Sequence, residues 1–188
     1  MLKHPFGIAF LVLLCAGCGS RTNQPNTPPP LRPERAAAIQ QDVRAYADTI
    51  AHDVTTEGPA AWRRHFVDSP AFFMASEGRL VFPDSASATP AIEELTRTVQ
   101  QIELTWGDDL RVDPLTPQFA VIGASYHETR VETTGEHIDE KGFITATAEN
   151  TNGRWQLRDA HWSVLAPPPK EKKTTRTRRA RRRTARRR

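Results

Sequence analysis

Thr89-Pro90-Ala91-Ile92-Glu93-Glu94-Leu95-Thr96-Arg97-Thr98-Val99-Gln100-Gln101-Ile102-Glu103-Leu104-Thr105-Trp106 carries two hydrophobic periods end to end. Ile92, Leu95, Val99 and Ile102 fall on one helical face. Thr89 is placed to cap that helix, and Pro90 at its first position, where a missing N–H costs least. Ile102, Leu104 and Trp106 then alternate with polar residues, the period of a half-buried strand. From this switch onward the period stays at two. The spacing predicts strands at Ile102–Trp106, Phe119–Tyr126, Phe143–Ala148 and Trp155–Leu165. Turn-forming clusters separate them: Gly107-Asp108-Asp109, Asp113 to Pro117, Thr134-Gly135-Glu136 and Asn150 to Gly153.

Upstream of the switch the pattern is helical first. Ile39, Val43, Tyr46, Ala47, Ile50 and Val54 form one apolar stripe, which predicts an amphipathic helix over 34–55. Gly58-Pro59 restarts the chain into a short helix with Trp62 and Phe66 four apart. Phe72–Ser76 and Arg79–Phe82, joined by Glu77-Gly78, read as a hairpin. Helices followed by an antiparallel meander make an α+β domain, and residues 34–166 are long enough for one such core.

The order of elements and three local patterns resemble the nuclear-transport-factor-2-like superfamily, which includes ketosteroid isomerases and SnoaL-like polyketide cyclases. The patterns are Trp62…Phe66…Asp68-Ser69-Pro70, Thr89-Pro90-Ala91-Ile92, and Asn152-Gly153-Arg154-Trp155-Gln156-Leu157…His161-Trp162-Ser163. The likeness covers nearly all of 36–165. It implies a cone-shaped, strongly curved antiparallel sheet wrapped around the N-terminal helices, with a pocket at the open end. One such scaffold hosts many functions.

Period-two counting places Phe119, Val121, Gly123, Ser125 and His127 in one inward row. It places Trp155, Leu157, Asp159, His161 and Ser163 on one face of the last strand, barring a bulge. With the family's layout, Trp62, Phe73, Trp106, His127 and Trp155 are expected to line the pocket. Asp159 and His161 are its candidate catalytic acid–base pair, because an imidazole titrates near neutrality; a purely structural role in hydrogen bonding the sheet to the first helix is the alternative. The isomerase chemistry needs carboxylates in the first hairpin and on a later strand. Ala75 or Ser76, and Phe143 or Ile144, occupy those places, so the chain leans away from that enzyme. A cyclase would have only Asp159 or Asp84 as its acid. No Ser-His-Asp spacing, phosphate loop or dinucleotide fingerprint appears, and no cofactor is implied. His137 and Asp139 lie close together but lack the further ligands a metal needs. Ala120, Ile122, Ala124 and Tyr126, with Ile144, Ala146, Ala148, Trp162 and Val164, make the other sheet face apolar too, which suggests a covered face and a homodimer.

The flanks speak of location. Lys3 and His4, the apolar run Ile8–Leu14, and Ala16-Gly17 before Cys18 resemble a bacterial lipoprotein signal over residues 1–17, with Cys15 where such signals usually carry Leu. Cys18 is then the lipidated residue and membrane anchor, on the periplasmic or surface side of the envelope. Gly19 in place of an Asp points to the outer membrane. Residues 18–33, with Pro28-Pro29-Pro30, read as a tether. Residues 167–188 read as a disordered tail. From Lys170 to Arg188 there are twelve Lys and Arg against Glu171, a net of +11, whereas Ala36 to Pro169 sums to −10. The tail suits anionic lipid or cell-envelope polymers. The acidic domain lacks the basic surface that nucleic acid requires. Three functions are compatible with this reading: a module binding a small apolar ligand, a SnoaL-like isomerase or cyclase, and a structural dimer whose cavity is filled by its own aromatics.

Overall fold

The computed structural model describes residues 30–166. Cys18, almost all of the tether and the Lys/Arg tail lie outside the described residues. Helix α1 spans Pro33–Glu57 and buries Ile39, Val43, Ala47, Ile50 and Val54. It ends at Gly58, whose N–H donates to the Val54 carbonyl at 3.0 Å. Gly58 has φ 81° and ψ −170°, a conformation essentially reserved for glycine. A 3-10 turn, Pro59–Ala61, leads into α2, Trp62–His65.

Strands β1 (Phe73–Ser76) and β2 (Arg79–Phe82) form the expected hairpin. Helix α3 runs Ser85–Thr98, starting five residues earlier than expected. Its cap is Asp84, which accepts from the Ser87 N–H at 2.7 Å, while the Ser87 hydroxyl faces the Asp84 N–H at 3.3 Å. Reciprocal capping of this kind outweighs the Thr89 signal. Pro90 therefore lies inside the helix, where it cannot donate to the carbonyl four residues back. Val99 already belongs to β3, Val99–Trp106.

The remaining strands are β4 (Arg111–Pro114), β5 (Phe119–Glu132), β6 (His137–Thr151) and β7 (Arg154–Val164). β4 occupies part of a segment read as a turn. The order is β2-β1-β7-β6-β5-β3, with β4 also paired to β5. Every pairing is antiparallel except β1 with β7, which is parallel. The sheet is thus mixed and unclosed, and the α+β class stands.

Burial along β5 corrects the expected faces. Ala120, Ile122, Ala124 and Tyr126 are buried, and Phe119, Val121, Gly123, Ser125 and His127 are their half-exposed neighbours. The inward row is the one read as outward. Alanines suit it because a helix must pack closely against the sheet, and α1 lies against β3, β4 and β5. Ile144, Ala146 and Ala148 of β6 continue the same buried face.

A second correction concerns β7. Ala148 pairs with Leu157, but Thr147 pairs with Asp159, so Arg158 is an extra residue in a β-bulge. A one-residue slip exchanges the two faces of a strand. Trp155 and Leu157 therefore point inward with Ala148. Beyond the bulge Ala160 and Trp162 point inward, paired with Ala146 and Ile144, and Asp159, His161 and Ser163 point outward. The core closes on fully buried Phe72, Leu104, Leu157 and Val112. Truncating such a side chain to alanine typically costs about 2–5 kcal/mol.

Candidate functional site

The interior of the fold is occupied by aromatic rings. Trp162 packs edge-on to Tyr126 at 4.8 Å and to Trp62 at 5.7 Å, and lies 6.1 Å from Trp106. Trp62 stacks on Phe66, which meets Phe72 at 4.7 Å. The Trp106 indole N–H donates to the Ala47 carbonyl at 2.7 Å, which ties β3 to the middle of α1. Gly142 lies opposite Tyr126 on β6. A β-carbon there would stand 2.7 Å from the Tyr126 ring and 2.0 Å from the Ser163 carbonyl oxygen, so the ring is seated on bare backbone.

Beyond this aromatic centre the inward row turns polar. The Tyr126 hydroxyl donates to Glu140 Oε1 at 2.8 Å. Glu128 stands directly opposite Glu140 across the β5–β6 ladder. Arg130 sits one step further along, with Nε 3.3 Å from Glu128 Oε1 and Nη2 4.0 Å from Glu140 Oε2. Its Nε is buried and completes no hydrogen bond. Burial pushes the Glu128 carboxyl up; Arg130 opposes this and Glu140 adds to it. Burial, reinforced by the bond to Glu140, also pushes the Tyr126 hydroxyl up. One guanidinium against two carboxylates can retain a proton, and this group could serve as an internal acid. Sequence reasoning missed these residues. They share the parity of Ala120, Ile122 and Ala124, so the misread face hid them.

A second polar cluster joins α1 to α2. Asp53 Oδ2 accepts from Arg64 and lies 3.0 Å from His65 Nε2. Arg64 also reaches both oxygens of Glu57, and the Tyr46 hydroxyl donates to the His65 carbonyl at 2.9 Å. Burial lowers the buried His65 against the pull of Asp53. For Asp53, burial raises the carboxyl, but the hydrogen bond and charge of Arg64 outweigh it and the net shift is downward. The cluster binds helix to helix.

The expected site residues separate into groups. Trp62 and Trp106 meet in the interior through Trp162. Trp155 is buried far from them, lining a polar cleft of ≈ 860 Å³ with Arg35, Asp42, Gln118 and Asn152. Phe73 is 45 % exposed on the outward face, paired with Asp159. Asp159 accepts from the Thr147 N–H at 3.2 Å, serving the bulge rather than a bond to α1, and His161 is exposed beside it. Asp159 and His161 are thus neighbours on the outward face, away from the aromatic interior. His127 also points outward, with Nε2 3.0 Å from Asp139 Oδ1.

His127 does line a cavity, one whose wall takes residues from both rows of the sheet. A groove of ≈ 560 Å³ crosses the ends of β3, β5, β6 and β7. Trp106, Phe143, Val164, Leu165 and Ala166 supply its apolar wall, Tyr126 and Gly142 of the inward row its floor, and Thr105, Ser125, His127, Lys141 and Ser163 its polar side chains. Phe143 is 44 % and Leu165 72 % exposed, so large apolar groups stand open to water there. Gly107 is needed beside it: a β-carbon would fall 2.0 Å from the Ser125 hydroxyl, which donates to Asp109 Oδ1 at 2.7 Å.

No family model and no curated protein matches the chain. Solved structures do. A nuclear-transport-factor-2-like superfamily protein from Salmonella enterica serovar Typhimurium aligns at 14 % identity and TM-score 0.56, over 74 % of this chain and 96 % of its own. A candidate scytalone dehydratase from Novosphingobium aromaticivorans aligns at 10 % and 0.60, over 71 % and 88 %. A candidate aromatic ring hydroxylase from the same organism aligns at 17 % and 0.57, over 73 % and 94 %. At these identities the likeness is one of architecture: the chain has the nuclear-transport-factor-2-like fold.

Proposed function

We propose that this chain is an envelope-tethered binding module that takes a small apolar molecule in the outward groove across β3, β5, β6 and β7. The groove carries the reading. Ligand sites usually measure about 300–1,000 Å³, with mostly apolar walls and a few placed polar groups, and the groove at ≈ 560 Å³ has that character. The interior supports the same choice, because Trp162 fills its centre against Trp62, Trp106 and Tyr126, and the last two also border the groove. The signal-like start through Cys18 and the Pro-rich tether support a lipid-anchored, extracytoplasmic address, and the +11 tail would add contact with anionic envelope surfaces.

A second reading rests on the exposure of Phe73 and Phe143 on one face of the sheet. A second copy of the chain could cover both, giving a structural dimer. Native mass spectrometry of detergent-extracted protein separates the two. A monomer that is acylated at Cys18 and carries a co-purified small molecule is the expected result. A ligand-free dimer would favour the second reading, and an unprocessed chain beginning at Met1 would contradict the address.

A further inference from the structure

The polar side chains of the groove are not equally free. The Thr105 hydroxyl donates to the His127 carbonyl at 3.3 Å, that of Ser125 to Asp109 at 2.7 Å, and that of Ser163 to the Phe143 carbonyl at 3.2 Å. The His127 ring is held by Asp139 at 3.0 Å. Lys141 alone of the five is unengaged: it takes part in no ion pair among the described residues. Asp139, two residues earlier on the same face of β6, is turned to His127.

Lys141 is also placed against the apolar wall. It pairs across the ladder with His127, and Ser125 pairs with Phe143 in the adjacent outward row. Leu165 stands on the other flank of Lys141, its N–H donating to the Lys141 carbonyl at 2.7 Å. One free ammonium, with exposed Leu165 beside it and exposed Phe143 in the next outward row, forms a one-headed site. Resting on the groove reading above, we infer that its ligand is an amphiphile with a single acidic head, a medium-chain or aromatic carboxylate. The head meets Lys141 and the body lies over Phe143 and Leu165.

Titration calorimetry with octanoate and octanol, on the full chain and on Lys141→Ala, Lys141→Glu and Phe143→Asp, tests this. The wild type is expected to bind octanoate more tightly than octanol. Lys141→Ala is expected to weaken octanoate about three- to fivefold, the size of an exposed ion pair, and to leave octanol unchanged; Lys141→Glu weakens octanoate further. Equal affinity for both probes, or equal loss of both in the Lys141 variants, overturns the acidic-head assignment while leaving the groove in place. No binding of either probe, or binding that Phe143→Asp leaves intact, overturns the groove itself. So does a dimer by light scattering that Phe143→Asp dissociates, since a second copy would then be the occupant.

Discussion

Glu128 and Glu140 face each other directly across neighbouring strands on the inward side of the sheet, with Arg130 as the cation beside them. Like charges opposite one another destabilise a ladder, so the pair depends on Arg130. Arg130→Met should cost about 2–4 kcal/mol, because it strands two partly buried carboxylates. The pH dependence has a definite sign. The folded chain holds the Glu128 proton more tightly than the unfolded chain, whose value is near 4.5. Stability therefore falls as pH rises from that value through the raised one. Urea unfolding from pH 4 to 8 should show it as a difference: the stability of the wild type relative to Glu128→Gln should fall as pH rises. A steeper decline in Glu128→Gln would contradict the assignment.

The Asp53–His65 contact predicts the opposite slope. His65 sits below its ordinary 6.5, so the unfolded chain takes up that proton first as pH falls through 6.5. Asp53 sits below its ordinary 3.8, and its contribution is lost as pH falls through 3.8. Both losses come on acidification. Asp53→Asn should cost about 1–3 kcal/mol at neutral pH, since Arg64 and buried His65 lose a charged acceptor. Unfolding curves at pH 7, 5 and 3, for the wild type and Asp53→Asn, check these statements.

The bulge at Arg158 offers a test of the face assignment in β7. Arg158→Ala keeps the extra residue and loses the bond to Glu149 at 2.7 Å, a change of about 1 kcal/mol or less. Deleting Arg158 forces either Trp155 and Leu157 or Ala160 and Trp162 out of the core. The deletion should prevent cooperative folding, seen as loss of near-ultraviolet circular dichroism. A deletion variant that unfolds cooperatively near the wild-type midpoint would contradict the register.

Much of the architecture was legible, and the failures share a cause. Long periodic runs such as Ile39–Val54 and Ile102–Trp106 identify their elements because one face is apolar and the other is not. In β5 both rows look apolar: Val121 and Phe119 compete with Ala120, Ile122 and Ala124. Small side chains beneath a closely packed helix read as weaker hydrophobes than the exposed valine and phenylalanine. The bulge leaves no local mark, since Arg158 continues an ordinary alternation. Asp84 with Ser87 makes a capping box without the usual Glu or Gln, so the true start of α3 was hidden behind Thr89-Pro90. The carboxylate–arginine group followed the misread row.

Trp162 is the keystone of the aromatic interior. Replacing it with alanine should cost about 2–4 kcal/mol, somewhat less than a fully buried tryptophan because it is half-buried. The space left among Trp62, Trp106 and Tyr126 is apolar, and such cavities accept small aromatic molecules. Thermal unfolding with and without benzene should show a lower midpoint that benzene raises in the variant and leaves unmoved in the wild type.

On the reading proposed above, a ligand sits in the groove around Lys141 and Phe143, and Trp62 and Trp162 stay packed in the interior. Amide and indole chemical shifts recorded by NMR during an octanoate titration test it most directly. Saturable shifts are expected at Lys141, Phe143 and Leu165, with the Trp62 and Trp162 indoles unchanged. Shifts concentrated at Trp62, Trp162 and Glu128, with Phe143 silent, would contradict it.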